Sequence, residues 1–303
     1  MNIALDSFSN NEDPLVSIIA IAYNHASFLE ETLDSVVGQT YKSIELIIVD
    51  AFSNDESVVK IKDWIQRNPE VKVKTLFQSE TKKITENAND ALKLADGEYY
   101  QILSCDDVLM PGKIASQIIT FQNSDDRLGV VYSDAVKIDE KGVEINAPTF
   151  FQERDWQEAS QLPSGMIFPM LLMDYFIVAP TVLVKKEYAI RVGGYNPESM
   201  MEDLDLFLKM AQRYSIKGLF QVDVKYRVLE TSLLRSTNAF NKQSNRLKIY
   251  ADFIDQKGEW DRYITYQFLL AHRSKSLMLK LFYFFHSQFH KILKFKFKIN
   301  YKP

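Results

Sequence analysis

Two adjacent carboxylates, Asp106 and Asp107, follow the apolar run 99–103. Aspartate is a poor strand former, so a pair of aspartates at the end of a strand favours a role beyond folding. Carboxylate oxygens at the carboxyl edge of a sheet suit a divalent cation that carries the phosphates of a ligand. A solvated turn, favoured by Pro111-Gly112 just downstream, is the alternative interpretation.

A second acidic group, Glu202, Asp203 and Asp205, stands in the first turn of a predicted helix that repeats apolar residues at 204, 207, 208 and 211. Acids at this position interact favourably with the helix dipole, which is a purely structural explanation for them. The pair Gly193-Gly194 precedes the helix. Paired glycines allow either a tight turn or the close approach of a ligand to the backbone.

The elements that must position these acids begin near the amino terminus. Residues 16–22 form a β-branched, uncharged run, which predicts a strand buried on both faces. Residues 27–37 follow with helical spacing, and Ser27 with Glu30 predicts a capping box at the start of that helix. Residues 44–50 form a second buried strand that ends in Asp50. Strand, helix, strand at this spacing predicts a βαβ unit and a parallel sheet.

Several short motifs, in order along the chain, resemble those of family 2 glycosyltransferases. They are residues 16–24, 39–41, 45–50 and 89–99, Asp106-Asp107, and then residues 193–195, 202–206 and 226–227. The resemblance covers roughly residues 14–230. It implies the α/β class and the GT-A fold, a Rossmann-like, mostly parallel central sheet flanked by helices, here with a C-terminal helical extension.

The resemblance also implies roles for the residues at the carboxyl edge of this sheet. Tyr23 and Asp50 would contact the nucleoside of a nucleotide-sugar donor. Asp106 would bind the Mn²⁺ or Mg²⁺ that bridges the diphosphate, and Asp107 would support the site. Asn89 lies in a motif of the donor-binding half.

A basic residue near the diphosphate is the next expectation. The family often places a cation in the loop that holds Lys82 and Lys83, so Lys82 is a candidate donor-binding residue. Two solvated surface lysines are an equally good interpretation of this pair.

In the second half of the resemblance, Asp203 would be the general base that takes the proton of an acceptor hydroxyl. One well-placed carboxylate is enough for an inverting single displacement, and such a proton transfer typically contributes about a hundred- to ten-thousand-fold. Glu202 and Gly194 are weaker candidates for contacts with the acceptor.

Two motifs depart from the family pattern, and the usual Asp-Asp-Gly-Ser is here Asp50-Ala51-Phe52-Ser53. Ala51 replaces an aspartate within the usual Asp-Asp-Gly-Ser, and Ser104 replaces the first acid of the common Asp-X-Asp. The first change weakens an assignment of uridine as the base. Together they keep a second interpretation open, a catalytically weak sugar-nucleotide-binding module on the same fold. Retention of Asp106 and Asp203 favours the enzyme.

Composition excludes several other classes. The chain has 303 residues, with 36 basic and 40 acidic side chains and a net charge of −4, which does not indicate a nucleic-acid binder. The single cysteine, Cys105, excludes an intramolecular disulfide and is expected to be a small packing residue. No Gly-x-Gly-x-x-Gly follows the first strand, so a dinucleotide-dependent oxidoreductase is disfavoured.

Charge and motif boundaries predict three regions: a flexible N-terminus over 1–13, a glycosyltransferase domain over 14–232, and a helical, basic and aromatic extension over 233–303. The N-terminus lacks the pattern of a signal peptide. Residues 273–302 carry basic and aromatic side chains and no acid. They suit either an anionic membrane surface or packing on the catalytic domain or a second subunit of a homo-oligomer.

The expected function is therefore a metal-dependent, inverting hexosyl- or N-acetylhexosaminyl-transferase. The donor would be a UDP-sugar and the acceptor a glycan or a lipid-linked glycan, in the synthesis of a cell-surface polysaccharide. The expected location is the cytoplasm, with peripheral attachment to the inner face of the cell membrane as one of the two uses of residues 273–302.

Overall fold

The computed structural model of the chain describes residues 13–199 and 201–229, together with Arg246, Ile249 and Phe253. The chain divides into two compact units, one of Met1–Met166 with Ile177–Thr237 and one of Ile167–Phe176 with Asn238–Pro303. Almost all of the predicted N-terminal and C-terminal regions, 1–13 and 233–303, lies outside the described residues. The predicted domain boundaries therefore stay a prediction.

The described part of the first unit alternates strands and helices. Its strands are β1 (Val16–Ala22), β2 (Ile44–Asp50), β3 (Val73–Phe77), β4 (Tyr99–Ser104), β5 (Val108–Leu109), β6 (Leu128–Ile138), β7 (Leu183–Lys185) and β8 (Ser215–Arg227). Its helices are α1 (Leu29–Val37), α2 (Ser57–Arg67), α3 (Ile84–Leu94), α4 (Lys113–Gln122), α6 (Lys186–Arg191) and α7 (Glu202–Ala211). Helix α5 (Phe168–Met173) belongs to the second unit.

The strands form one mixed sheet in the order β3-β2-β1-β4-β7-β6-β8-β5. Strands β3, β2, β1 and β4 are mutually parallel, as the βαβ pattern predicts. Strand β7 is antiparallel to both of its neighbours, and β6 and β8 are parallel again. This is the α/β architecture that the sequence predicts. The chain passes from β3 back across β1 to β4, so the loops after β1 and β4 flank a topological switch point.

The centre of the sheet is held by burial of β1. All seven residues of this strand are buried, and one of its faces packs on Leu29 and Leu33 of α1. Full burial of an aliphatic side chain contributes about 1.5–3 kcal/mol. Helix α1 itself begins two residues later than predicted. Its N-cap is Phe28, with no side-chain capping bond, so the predicted capping box of Ser27 and Glu30 is wrong.

The edge where the parallel strands begin holds a fully buried acid, Glu45 of β2. Its Oε1 accepts hydrogen bonds from Ser17 Oγ at 2.7 Å and from the amides of Asp96 and Gly97 at 2.6 and 3.2 Å. Its Oε2 lies 2.8 Å from Lys74 Nζ. A Cβ at Gly97 would come within 2.6 Å of Ser17 Oγ, so only glycine fits this approach.

A buried lysine joins the two halves of the sheet. Lys113 Nζ donates to Gln101 Oε1 at 2.7 Å, to Gln117 Oε1 at 2.8 Å and to the carbonyl of Val182 at 3.3 Å. Three acceptors match the three N–H groups of an ammonium, although burial lowers the pKa of Lys113 to about 7. The lysine thereby fixes the segment that leads into β7.

The described part of the second unit is small. It consists of α5 and the residues around it, with Phe168 packed 6.1 Å from the ring of Phe253. Throughout the described residues, the helices are too short or too polar to cross a lipid bilayer.

Candidate active site

The carboxyl ends of three parallel strands bring the predicted donor-binding residues to one edge of the sheet. Ala22, the last residue of β1, is in register with Asp50, and Ile21 is in register with Ser104. Neighbouring strands lie about 4.8 Å apart, so the loops after β2 and β4 face each other across β1 at about 10 Å. Tyr23 follows directly after β1, and Asp106 lies two residues after the end of β4.

Four hydrogen bonds join the loop after β1 to the loop after β2. Their lengths of 2.9–3.1 Å are ordinary for such bonds. They run from Asn24 N to Ser53 Oγ (2.9 Å), Asn54 N to Asn24 Oδ1 (2.9 Å), His25 N to Ser57 Oγ (3.1 Å) and Ala26 N to Asp55 Oδ2 (3.0 Å). The two loops therefore form one structural piece at the carboxyl edge of the sheet.

Two residues of this piece have left-handed backbone conformations. Asn24 has φ 56° and Phe52 has φ 71°. Asparagine tolerates this region because its short polar side chain bonds locally, whereas for phenylalanine the conformation costs about 1–2 kcal/mol. Phe52 is also 48% exposed, and Tyr23 on the neighbouring loop is 49% exposed. Neither ring is in the core.

Asp50 is nearly fully buried, with 2% exposure. Its Oδ1 accepts the amide of Ser53 at 3.0 Å. Its Oδ2 is buried and has no hydrogen-bond partner within the described part of the chain. A buried acceptor without a partner is destabilising, typically by about 1–3 kcal/mol. The protein therefore carries at this edge an oxygen that a ligand hydroxyl could satisfy.

Asp107 is buried and structural in its contacts. Its Oδ1 accepts the amide of Arg227 at 2.9 Å, and Thr32 Oγ1 donates to its carbonyl at 2.8 Å. Burial, followed by the charge of the neighbouring Asp106, raises the pKa of Asp107 well above its usual range. Its place beneath Asp106 is compatible with the predicted supporting role, and a contact with the donor stays a prediction.

Arg227 is the residue whose role the sequence did not reveal. Although only 2% exposed, its guanidinium donates from Nε to the carbonyl of Asp106 at 2.8 Å and from Nη2 to Glu31 Oε2 at 2.5 Å. Nη1 donates to the carbonyls of two residues after β6, Asp139 and Glu140. In the sequence, Arg227 is only the last residue of the motifs that resemble the family. Its link to Asp106 spans 121 positions, which no local signal reveals.

Asp106 itself is half-buried, and no lysine or arginine among the described residues forms an ion pair with its carboxylate. His25 lies close by. Burial lowers the pKa of His25, and the negative charges of Asp106 and Asp55 oppose that shift. The backbone of Asp106 is therefore held by Arg227, whereas its carboxylate has no basic ion-pair partner among the described residues.

Tyr226 connects this edge to the second acidic group. Burial raises the pKa of Tyr226, and the negative charges of Asp107, Asp106 and Asp203 raise it further. All three carboxylates thus lie within electrostatic reach of one phenol. The loop after β4 and the start of α7 face the same region, although 97 positions separate Asp106 from Asp203.

The first turn of α7 borders a small cavity of about 30 Å³, the space of one water molecule. Glu202, Asp203 and Tyr195 line it together with apolar side chains of α3, β4 and β7. Burial and the charge of Asp203 raise the pKa of Glu202 to about 7. Asp205, in the same first turn, does not line the cavity and forms an ion pair with Lys209 at 2.6 Å.

The glycine pair before α7 is clamped by Asn89. Gly193 and Gly194 have φ values of 94° and 65°, so the pair makes a turn that favours glycine. The Asn89 side chain donates to the carbonyl of Tyr195 at 2.8 Å and accepts the Tyr195 amide at 3.1 Å. These contacts give Asn89 and Gly194 a part in positioning the loop. Their predicted contacts with donor and acceptor stay predictions.

Lys82 forms an ion pair with Asp90 of α3 at 3.0 Å, and Lys83 donates to the carbonyl of Pro197 at 2.9 Å. These contacts favour the structural interpretation of the two lysines and leave the contact of Lys82 with a diphosphate a prediction. Cys105 is fully buried, as expected of a packing residue.

The residues fit a divalent cation that is shared with a ligand. No cluster of three or more histidine, cysteine, aspartate or glutamate side chains is set up to hold a metal among the described residues. Magnesium is commonly held by one or two carboxylates plus substrate phosphates, rather than by a cage of protein ligands. The available carboxylate of Asp106 matches that pattern.

The chain is similar to one protein family and to several curated glycosyltransferases. Residues 17–178 match the model of the family described as glycosyl transferase family 2. An uncharacterized glycosyltransferase of Rickettsia typhi is 28% identical over 270 residues, which are 86% of this chain and 79% of the relative. One of Haemophilus influenzae is 29% identical over 241 residues, which are 78% of this chain and 88% of the relative.

Two solved structures show a similar fold. The first is residues 1–349 of S. aureus TarS in complex with UDP-GlcNAc, with a TM-score of 0.66, 15% identity, and coverage of 88% of this chain and 75% of that one. The second is the mannosyltransferase PcManGT of Pyrobaculum calidifontis in complex with GDP-Man and Mn²⁺, with a TM-score of 0.59, 18% identity, and coverage of 92% and 81%. At these identities the likeness concerns the fold.

Proposed function

The chain belongs to glycosyl transferase family 2 and is a glycosyltransferase, and from this premise we propose that it transfers one sugar from a nucleotide diphosphate sugar to an acceptor hydroxyl by a metal-dependent, inverting displacement. The observation that carries the proposal is the position of Tyr226, within electrostatic reach of Asp106 and Asp203 at once. The shared influence of the two carboxylates on one phenol supports a donor-side and an acceptor-side acid at the same site, as a single displacement requires.

On the donor side, Asp50 and Tyr23 hold the nucleoside at the ends of β1 and β2. Asp106 would hold Mn²⁺ or Mg²⁺ against the diphosphate, where the cation neutralises charge on the leaving nucleotide diphosphate. Arg227 and Asp107 keep the loop of Asp106 in place through the hydrogen bonds at 2.8 and 2.9 Å. The donor loop thereby enters the reaction without reorganisation.

On the acceptor side, Asp203 removes the proton of the acceptor hydroxyl while the oxygen attacks the anomeric carbon. The new carbon–oxygen bond forms as the bond to the diphosphate oxygen breaks, and the proton remains on the Asp203 carboxylate until solvent removes it. Glu202, whose pKa is raised to about 7, keeps its proton in a large fraction of molecules at neutral pH. A protonated Glu202 can donate a hydrogen bond to the acceptor without competing as a base.

We also propose the chemical classes of the donor and the acceptor. We expect a UDP-sugar of the hexose or N-acetylhexosamine type, and a glycan or lipid-linked acceptor of a surface polysaccharide. TarS, similar in fold, is solved with UDP-GlcNAc, and PcManGT is solved with GDP-Man and Mn²⁺. Attachment to the inner face of the cell membrane through residues 273–302, and a homo-oligomer, concern residues outside the described part of the chain.

The test is release of nucleotide from a panel of UDP-sugars and from GDP-mannose by the purified full chain, with Mn²⁺ or with a chelator. We expect turnover that requires Mn²⁺, and Asp203→Asn should lower kcat by about a hundred- to ten-thousand-fold while UDP still raises the melting temperature. Asp205→Asn is the matched control, because Asp205 lies on the same helix and pairs with Lys209. It should retain kcat.

The alternative, a binding module with weak catalysis, is favoured by Ala51 and Ser104 alone. It predicts that UDP with Mn²⁺ stabilises the wild type while no donor is turned over. It also predicts that Asp203→Asn behaves as the wild type does in every assay. Either result would contradict the enzymatic proposal.

A further inference from the structure

We propose that the exposed ring of Phe52, together with that of Tyr23, stacks on the base of the nucleotide donor, so that this chain holds the base mainly by its flat face. The inference rests on the proposed function, because it names the side chain that holds one part of the donor. It assigns a donor-binding role to a phenylalanine that stands where the usual Asp-Asp-Gly-Ser motif has glycine.

Tyr23 and Phe52 lie on two neighbouring loops. Tyr23 follows the last residue of β1, and Phe52 lies two residues after the end of β2. The hydrogen bond from Asn24 N to Ser53 Oγ at 2.9 Å joins the residue after Tyr23 to the residue after Phe52. A second bond, from Ala51 N to the carbonyl of Ala22 at 2.8 Å, joins the residues before them. The two aromatic residues are therefore at equivalent points of two fastened loops.

Phe52 contributes little to the stability of the fold. A phenylalanine that is 48% exposed gives up much of the free energy that its burial would contribute. Phe52 also adopts φ 71°, a region that a bulky side chain rarely occupies and that glycine would occupy without strain. A residue that is strained and half-exposed contributes little to stability, and such residues are concentrated at ligand sites.

An unsatisfied carboxylate oxygen lies two residues before Phe52. Asp50 Oδ2, two residues before Phe52, is buried and lacks a hydrogen-bond partner across the described residues. A ribose hydroxyl is a donor that such a carboxylate oxygen can accept. An aromatic surface next to a single unsatisfied acceptor matches a nucleoside, which has a flat base joined to a hydroxylated sugar.

Ala51 bears on how the base of the donor is recognised. Ala51, between Asp50 and Phe52, is 6% exposed and has no polar side-chain atom. It therefore cannot form hydrogen bonds with the edge of a base through its side chain. Stacking is tolerant because every base has a π-face. Loss of the Phe52 ring should then weaken uracil and guanine nucleotides by similar factors.

The test is isothermal titration of the full chain, with Mn²⁺, using UDP, GDP and inorganic pyrophosphate as probes. Removal of one stacking ring typically weakens binding by about 5- to 150-fold. We expect a loss in this range for UDP and GDP in Phe52→Leu and Phe52→Gly, and unchanged binding of pyrophosphate, which has no base. Phe52→Leu keeps an apolar side chain of similar bulk and removes only the ring face.

Folding provides the second readout. Glycine at position 52 relieves the left-handed strain, so the melting temperature of ligand-free Phe52→Gly should stay at or above that of the wild type. Asp155→Gly is the matched control, because Asp155 has φ 57° in a distant loop. It should leave the affinity for UDP unchanged.

Wild-type affinity for UDP and GDP in folded Phe52→Leu overturns the inference and leaves the proposed function intact. A loss of pyrophosphate binding equal to that of UDP also overturns it, because the defect would then not concern the base. A wild type that binds neither UDP nor GDP contradicts the proposed function, and this inference with it.

Discussion

The two acids of strand β2 show how the same side-chain chemistry serves two purposes. Glu45 at the start of the strand and Asp50 at its end are both buried, with 0% and 2% exposure. Glu45 accepts three hydrogen bonds and pairs with Lys74 at 2.8 Å. Asp50 leaves Oδ2 with no partner in the described part of the chain. The acid at the starting edge of the sheet is paired within the fold, whereas the acid at the carboxyl edge keeps an acceptor that a ligand could satisfy.

The pKa values agree with this contrast. Burial acts to raise the pKa of Glu45, but hydrogen bonds from Lys74, Ser17 and the Asp96 amide hold it below its usual value. Ionised Glu45 therefore stabilises the fold above its unfolded pKa, and this stability is lost as pH falls through its folded pKa. For Glu202 and Asp107 at the other edge, burial and neighbouring acids raise the pKa. There, ionisation works against the folded state.

The largest expected effect lies at the carboxyl edge. Asp106→Asn should lower turnover of the donor by about a thousandfold or more, since a cation at the diphosphate is worth several kcal/mol in the transition state. A chelator should have the same effect on the wild type and little further effect on the variant. The measurement is nucleotide release at saturating donor. Equal sensitivity of both proteins to the chelator would place the cation on another residue.

The starting edge should show the reverse pattern. Glu45→Ala leaves Lys74 and two backbone amides without their acceptor, and removal of one partner of a buried pair typically costs about 3–5 kcal/mol. Denaturant unfolding should report a loss near the lower value, because Lys74 is partly exposed. At a temperature where the variant is folded, its kcat should equal that of the wild type.

Asp96→Ala is the control for this variant. Asp96 contacts the same lysine at 2.7 Å, yet its side chain is 63% exposed. Its loss should therefore change stability far less than the loss of Glu45 does. If both variants were equally destabilised, burial of Glu45 would not explain the effect.

A pH series on Glu202→Gln tests the raised pKa at the carboxyl edge. The pKa of Glu202 is about 7 in the folded chain and about 4.3 in an unfolded one, so wild-type stability from this group falls as pH rises from about 4.5 to 7. Glutamine does not ionise. The variant should therefore gain up to about 3 kcal/mol relative to the wild type between pH 5 and pH 8, by denaturant unfolding at each pH. A constant difference would contradict the raised pKa.

The smallest expected effect concerns the second acid of β2. Asp50→Asn keeps an oxygen for the amide of Ser53 and removes the unpartnered acceptor. Because hydrogen bonds to charged groups contribute about 1.5–3 kcal/mol, UDP should bind about 10- to 100-fold more weakly. The melting temperature without nucleotide should change little. A large loss of stability with unchanged affinity for UDP would mean that Asp50 belongs with Glu45, and the contrast between the two edges would fail.

The sequence predicts the local architecture of the donor half well. Strands β1 and β2 begin and end at the residues that the apolar runs 16–22 and 44–50 indicate. A fully buried parallel strand is a continuous apolar run, so its bounds are visible in the sequence. The start of α1 is not, because the turn before it is held by the carbonyl of His25, which accepts the amides of Phe28 and Leu29. Backbone bonds of this kind replace the predicted side-chain cap.

Long-range contacts explain the rest of what the sequence could not predict. The full burial of Lys113 depends on Gln101 and Val182, which belong to other strands or their approaches. The role of Arg227 depends on carbonyl groups, which every residue has, and so no residue type marks them. The residue type at position 52 also gives no signal of its positive φ, because phenylalanine rarely adopts that region. The indication in the sequence is that Phe52 stands where the usual Asp-Asp-Gly-Ser has glycine.

The bond from Arg227 to Asp106 also has a consequence for the order in which the molecule is completed. Strand β8 is the last described element of the first unit, and its final residue fastens a loop made 121 positions earlier. During synthesis from the N-terminus, β1 to β4 can form and bury their side chains well before this residue leaves the ribosome. The loop of Asp106 is therefore secured only when β8 has joined the sheet. We therefore expect a chain that ends before Arg227 to lack the fixed loop of Asp106 on which the proposed donor site depends.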